Sequence, residues 1–315
     1  MDLLLGIAGL LLGAVVCGWL AGRAGRLRPR AGRWFGRAVA GAVAAALTLG
    51  AGLAVFGSYR LDHPAAAAAP SVAVPSMPAR LARGEHLANL CTACHATAEQ
   101  PPLDGGAQSL LGPLATLYAP NLTPAGPLRD WSDGEVIRAV RDGVDRDGRS
   151  LLLMPAANFH TMSDDDVQAL VAYLRSQPAV PHDVPPRQVH LPGALLSAVG
   201  GLPLAAQPPT VGPVTAPPAA VTPAYGEYLL TISGCRACHG PDLTGGTSRV
   251  LPHGPSLVAL VPHWSTEQFV STIRSGRDPN GVQLPPELMP WPSLSATWSD
   301  DELRSIDAYI RSLSR

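Results

Sequence analysis

Four of the five cysteines fall in two copies of one pentapeptide, Cys91-Thr-Ala-Cys94-His95 and Cys235-Arg-Ala-Cys238-His239. Two thiols at this spacing add to the vinyl groups of a porphyrin, and the adjacent histidine reaches the iron from one side. C-x-x-C-H therefore reads as covalent attachment of a c-type haem. Two matches set the expectation of two covalently bound haem c groups. Cys91, Cys94, Cys235 and Cys238 would bind the cofactor, and His95 and His239 would ligate iron. A structural zinc site uses four ligands, commonly in paired clusters, and each pentapeptide has no partner cluster. A thiol redox motif needs a βαβ context that is absent here.

The opposite face of each iron needs a second ligand, and a methionine there raises the reduction potential. After the first pentapeptide the candidates are Met154, His160 and Met162. Met154 precedes a proline in a loop and is the expected ligand, whereas Met162 sits just before a helix cap, where packing is its natural role. After the second pentapeptide Met289 is the only methionine, and Trp298 stands where Met162 stood. Filled axial positions leave no room for a substrate, so no catalytic residue is expected and the function implied is electron transfer. The enzyme alternatives are a dihaem peroxidase, which needs an openable haem, and a thiosulfate dehydrogenase, which would use an unusual ligand such as His160. A sensor would carry an output domain on the cytoplasmic side.

The elements that must position these groups are themselves repeated, over residues 80–177 and 224–315. Each copy opens with a helical pattern containing Gly84-Glu85 or Gly226-Glu227 and then carries its pentapeptide. Pro120-Asn121-Leu122 or Pro255-Ser256-Leu257 follows. Trp131-Ser132 and Trp264-Ser265 open a helix, with Glu135 or Gln268 completing a capping box. Those helices end at Arg141-Asp-Gly143 and Arg274-Ser-Gly276, and Met154-Pro155 or Met289-Pro290 comes next. A last helix starts at Ser163 or Ser299 with acids in its first turn, which suits the helix dipole. Its apolar residues (Val167, Leu170, Val171, Leu174; Leu303, Ile306, Ile310, Leu313) share one face. The fold class expected is all-α: two N-terminal transmembrane helices followed by two helical haem domains.

Residues 1–59 read as a membrane anchor. Leu3 to Gly22 and Ala38 to Tyr59 are uncharged, and each is long enough to cross a bilayer. Between them, 23–37 carries six arginines and no acid, so this basic loop belongs in the cytoplasm. Residues 60–315 hold 17 arginines against 23 acids, which places the haem domains on the periplasmic face of the cytoplasmic membrane. A cleaved signal peptide would need a positive start, and only Met1 and Asp2 precede the first apolar run. Cys17, inside that run, reads as structural. Residues 60–79 are an Ala/Pro-rich tether, and 178–223, with 12 prolines in 46 positions, is a semi-rigid linker or an extended strap packed on its neighbours. The net charge of −1 excludes a nucleic-acid binder acting through bulk basicity. Aromatic residues are only 5% of the chain, which two haems filling the cores would explain.

With these motifs in order, the chain resembles the class I cytochrome c family twice over. Tyr118-Ala-Pro-Asn121-Leu122-Thr123-Pro124, Trp131 and Met154-Pro155 are similar to the multihaem cytochrome subunits that accompany periplasmic alcohol and aldehyde dehydrogenases. The order of two spans and two haem domains also resembles the dihaem subunit of cbb3-type oxidases. In that subunit a Trp- and Asn-rich segment normally joins the spans, where this chain has arginines. The resemblance implies that Gly84 and Gly226 lie at a helix crossing facing Tyr173 and Tyr309. It implies that the carbonyls of Pro120 and Pro255 accept a hydrogen bond from the ligand histidines. Arg141 and Arg274 would meet haem propionates or simply be solvated helix ends. The function implied is a membrane-anchored respiratory electron carrier between a membrane-bound dehydrogenase or quinol-oxidising complex and a terminal oxidase. The alternative is a fixed subunit of a haem–copper oxidase. The bilayer is the remaining partner, and no nucleic acid is expected.

Overall fold

The computed structural model describes residues 3–24, 30–64, 68–98, 100–106, 111–202, 205–246 and 252–314. Helices α1 (Leu3–Ala24) and α2 (Arg30–Asp62) form an antiparallel hairpin, both long and apolar enough to cross a membrane. At 1.5 Å per residue, the 22 residues of α1 reach about 33 Å, the thickness of a hydrocarbon core. Leu47 lies 3.1 Å from where a Cβ of Gly13 would stand, whereas Gly9, Gly18 and Gly22 face open space.

The described residues of the arginine-rich stretch expected as a loop over 23–37, namely 23–24 and 30–37, are helical. Arg23 lies on the last turn of α1, and Arg33 and Arg37 lie on α2; arginine is a good helix former. Arg26 and Arg28 fall outside the described residues.

The first haem-motif unit contains α3 (Pro78–Ala88), α4 (Thr92–His95), α5 (Asp133–Asp142), α6 (Ala156–Phe159) and α7 (Asp164–Ser176). The second has α9 (Pro223–Ile232), α10 (Cys235–His239), α11 (Leu257–Leu260), α12 (Thr266–Ser275), α13 (Trp291–Thr297) and α14 (Asp300–Leu313). Between the units lies α8 (Leu191–Ala198). The described strands are a two-residue antiparallel ladder, β1 (Ala115–Thr116) with β2 (Gln188–Val189). In each unit the first helix crosses the last, α3 on α7 and α9 on α14. Gly84 admits the Ala169 carbonyl and the Tyr173 Cβ; Gly226 admits the Ser305 carbonyl. Ser305 is the counterpart of Ala169, so both crossings centre on the same position, one turn before Tyr173 or Tyr309; the Tyr309 hydroxyl donates to Glu227 at 2.9 Å.

The segments expected as tether and linker are laid on their neighbours. Val74 N donates to Asp133 at 2.8 Å, the Pro70 carbonyl packs on Gly134, and Val72 and Val74 join the core. Helix α2 docks on the first unit, where Ser150 N donates to the Leu61 carbonyl at 2.9 Å, and on the linker, where Arg187 pairs with Asp62 at 2.8 Å.

Candidate metal centres

Each pentapeptide sits at the end of a unit's first helix, which turns its histidine inward. His95 and His239 are buried. Nδ1 of His95 lies 2.9 Å from the Pro120 carbonyl, and Nδ1 of His239 lies 2.8 Å from that of Pro255. A carbonyl can only accept, so Nδ1 carries the proton and Nε2 keeps its lone pair for a metal. Burial pulls both imidazoles down in pKa, against the bond to the proline carbonyl, which favours the neutral, ligating form.

The prolyl carbonyls are held by a second repeated device. After each histidine comes Leu-x-Gly-Gly: Leu103-Asp-Gly105-Gly106 and Leu243-Thr-Gly245-Gly246. Gly105 N donates to the His95 carbonyl at 2.7 Å and Gly245 N to that of His239 at 2.9 Å. Leu122 N and Leu257 N then bond the Leu103 and Leu243 carbonyls, both at 2.8 Å. Both leucines are fully buried. Gly105 and Gly245 have φ of 81° and 119°, values that favour glycine. In the first unit Asn121 adds bonds to Val180 and Thr123. The duplication of Leu-x-Gly-Gly at the same place in both units is itself a sequence signal of this device.

Cys91, Cys235 and Cys238 are half-buried and Cys94 is exposed. Burial pushes the Cys91 thiol up to about 12 and Cys235 up to about 11, and it raises Cys94 and Cys238 as well.

The methionine-bearing loops are matched too. Gly143 and Gly276 end α5 and α12 in left-handed conformations, φ 65° and 66°. Leu151 N bonds the Gly143 carbonyl at 2.8 Å and Leu284 N that of Gly276 at 2.7 Å. Met154 and Met289 follow, both partly buried against the core. Arg141 reaches the Met162 carbonyl and pairs with Asp164 at 2.7 Å. Arg274 reaches the Ser295 and Trp298 carbonyls and pairs with Asp300 at 2.7 Å. These guanidinium groups brace the chain between each methionine and its last helix. Met162 is packed in the core at 1% exposure. His160 Nδ1 is turned to the Arg141 carbonyl at 3.2 Å. Trp298 fills the second core, with Nε1 donating to Ser233 at 2.9 Å.

The donor set fits a porphyrin-bound iron. Each unit presents one oriented imidazole nitrogen beside two thiols, and no cage of three His, Cys, Asp or Glu side chains exists among the described residues. Gly254 lies against the His239 ring where any Cβ would collide.

The family model described as cytochrome c oxidase, cbb3-type, subunit III matches residues 79–174 and 222–310. The chain is similar to a subunit of the nicotinate dehydrogenase of Pseudomonas putida, 32% identical over 261 residues, covering 75% of this chain and 21% of that protein. It is 29% identical over 262 residues to the cytochrome c subunit of a quinone alcohol dehydrogenase of Gluconacetobacter polyoxogenes, covering 73% and 55%. It is 33% identical over 174 residues to the gluconate 2-dehydrogenase cytochrome c subunit of Pantoea cypripedii, covering 50% and 37%. The chain thus spans between about a fifth and about half the length of these relatives.

Proposed function

The chain belongs to the cbb3-type oxidase subunit III family of cytochromes c, electron-transfer proteins with covalently bound haem c, and on that premise we propose that it is a membrane-anchored dihaem carrier. It takes electrons from a membrane-bound dehydrogenase and delivers them towards a terminal oxidase from the periplasmic face. The observation that carries the reading is the duplicated histidine geometry: two buried imidazoles, each with Nδ1 tied to a prolyl carbonyl at 2.9 and 2.8 Å and each next to a pair of thiols.

Haem c supplies a one-electron Fe(III)/Fe(II) couple. Cys91, Cys94, Cys235 and Cys238 would attach it, and His95 and His239 would ligate its iron. Met154 and Met289 would supply the second iron ligands. The proline carbonyls hold both rings in one tautomer, and the arginine-braced loops restrain the methionines. Little then has to move when an electron arrives. A dehydrogenase is favoured as donor because matched relatives are named as cytochrome subunits of dehydrogenases. The six arginines between the apolar runs support a periplasmic placement.

The test is a potentiometric titration of the full chain in membranes, with and without carbon monoxide, together with haem content per polypeptide. Two low-spin haems at positive potential, with the far-red methionine–iron band and no response to carbon monoxide, are expected. Met154→His and Met289→His should each lower one potential and remove one methionine band. A single haem, or one that binds carbon monoxide, would overturn the assignment.

A further inference from the structure

Residues 191–206 contain no ionisable side chain, yet they lie in the stretch that joins the two haem-motif units. Their helix, α8, packs on both helices of the anchor. Leu191 lies 3.1 Å from where a Cβ of Gly6 in α1 would stand. The Ala194 carbonyl presses on Gly57 in α2, where any Cβ would collide. Ser197 donates its hydroxyl to the Gly57 carbonyl at 3.1 Å. Gly6 and Gly57 are at the same end of the hairpin, and Gly57 is inside the apolar run that ends at Tyr59. So α8 lies at the level where the spans leave the hydrocarbon.

The two sides of α8 differ. Gly193, Ala194 and Ser197 are buried, and Gly193 also abuts the Leu114 carbonyl of the first unit. The other side carries Pro192, Leu195, Leu196 and Val199. Pro192 and Val199 are exposed, Val199 at 72%. Leu4, Leu5, Val55 and Phe56, near the same end of the hairpin as Gly6 and Gly57, are exposed apolar residues as well. The last carbonyls of a helix have no intrahelical partner and are ordinarily hydrated. Here Arg60 of α2 donates to the Ser197 and Ala198 carbonyls, at 2.9 and 3.3 Å. A guanidinium at the end of a span, with its stem among apolar residues, is in the usual place for a side chain reaching the headgroups.

We propose that α8 is a third membrane element, an interfacial helix whose Pro192–Val199 side rests in the outer lipid leaflet and seats the first haem unit at a set height and orientation. The proposal rests on the reading of α1 and α2 as membrane spans. Its support is position: α8 is docked on Gly6 and Gly57 at the ends of both spans and leaves apolar Pro192 and Val199 exposed there, and an apolar face of this kind is unfavourable in water.

The test is spin-label accessibility on the haem-loaded full chain in lipid nanodiscs. In a Cys17→Ser background, whose other cysteines are thioethers, labels are placed by Val199→Cys, Phe56→Cys and Val211→Cys. Phe56 reports a span, and Val211, 92% exposed, reports water. The ratio of oxygen to water-soluble nickel-complex collision at Val199 is expected several-fold above that at Val211 and close to that at Phe56. If Phe56 is lipidic and Val199 equals Val211, the interfacial helix is overturned while the anchor stands, leaving this face to a protein partner. If Phe56 itself reads as water, the anchor reading fails, and α8 with it. Should a label at Val199 disturb folding, Pro192→Cys on the same side of α8 is read against the same two references.

Discussion

Arg83 and Glu302, one in each haem-motif unit, are joined by a 2.7 Å ion pair. The same guanidinium holds Asp166 of its own unit through two bonds, at 2.8 and 3.0 Å. Asp166 and Glu302 are equivalent residues, each three positions after the serine that caps a unit's last helix. Tyr225, the counterpart of Arg83 ahead of the crossing glycine, donates to Glu302 at 3.1 Å. Tyr228 donates to Asp166 at 2.6 Å and accepts from Ser163 N at 3.0 Å. Burial pushes the Tyr225 hydroxyl up to about 12, so it stays a donor. Behind this cluster Ser293 donates to the Asn89 carbonyl at 2.5 Å, and Asn158 sits on Gly234. Each attachment turn therefore abuts the helix that follows the other unit's methionine.

Arg83→Ala should loosen the two units. Its side chain is 24% exposed, and its partners are 10% and 13% exposed. The cost should fall between that of an exposed pair and that of a broken buried pair, about 1–3 kcal/mol. Arg83→Lys should recover only part, because an ammonium cannot replace the forked geometry. Denaturant unfolding gives the cost, and small-angle scattering of the haem-loaded chain should show a wider molecule. An unchanged scattering profile with unchanged stability would remove Arg83 from this role.

Gly84→Ala and Gly226→Ala should each destabilise one unit. A methyl there collides with the backbone carbonyl of Ala169 or Ser305, and backbone moves aside less readily than a side chain. Overpacking of this kind costs about 1–3 kcal/mol and sometimes more. Gly18→Ala, which faces open space, is the control and should be neutral within about 0.5 kcal/mol. Equal melting temperatures for all three variants would contradict the close crossing.

The Ser132–Glu135 capping box should make the first unit acid-sensitive. The bond from Ser132 N, at 2.7 Å, is the main reason the Glu135 carboxyl lies below its ordinary pKa, and burial opposes it. A carboxyl depressed in the folded state contributes stability above its unfolded pKa, near ~4.3. That contribution disappears as the pH falls through the folded value. The second unit uses Gln268 for the same bond, from Ser265 N at 2.7 Å. Glu135→Gln should therefore keep the box but abolish its acid dependence. Melting curves between about pH 7 and pH 3 should show wild type and variant converging at the acid end; a constant gap would exclude the carboxylate as the cause.

Arg141→Ala should cost more than Arg274→Ala. Arg141 has a side chain 6% exposed and leaves the Met162 carbonyl without its donor; Arg274 is 33% exposed, so water can replace it. Removing a donor from a buried carbonyl costs about 1–3 kcal/mol. Hydrogen exchange across 154–163 should rise in Arg141→Ala, alongside a larger loss of stability than in Arg274→Ala. The reverse ranking would show that burial does not set the cost.

The chemistry of this chain was legible from its residues because it is local. Cys-x-x-Cys-His, the capping serines and the glycines that end α5 and α12 act within a few positions of themselves, and their duplication exposed the repeat. The two apolar runs declared a hairpin in the same way. Tertiary structure alone decided that Arg83 would reach Glu302, that Arg141 and Arg274 would brace loops, and that residues 68–77 and α8 would lie on their neighbours. Those outcomes depend on which faces meet between segments up to 219 residues apart. A proline-rich or alanine-rich stretch has the same local pattern whether it hangs in water or packs. What separates the two is the surface it meets, here the apolar ends of α1 and α2 and the flank of the first unit, and that surface exists only once the chain has folded.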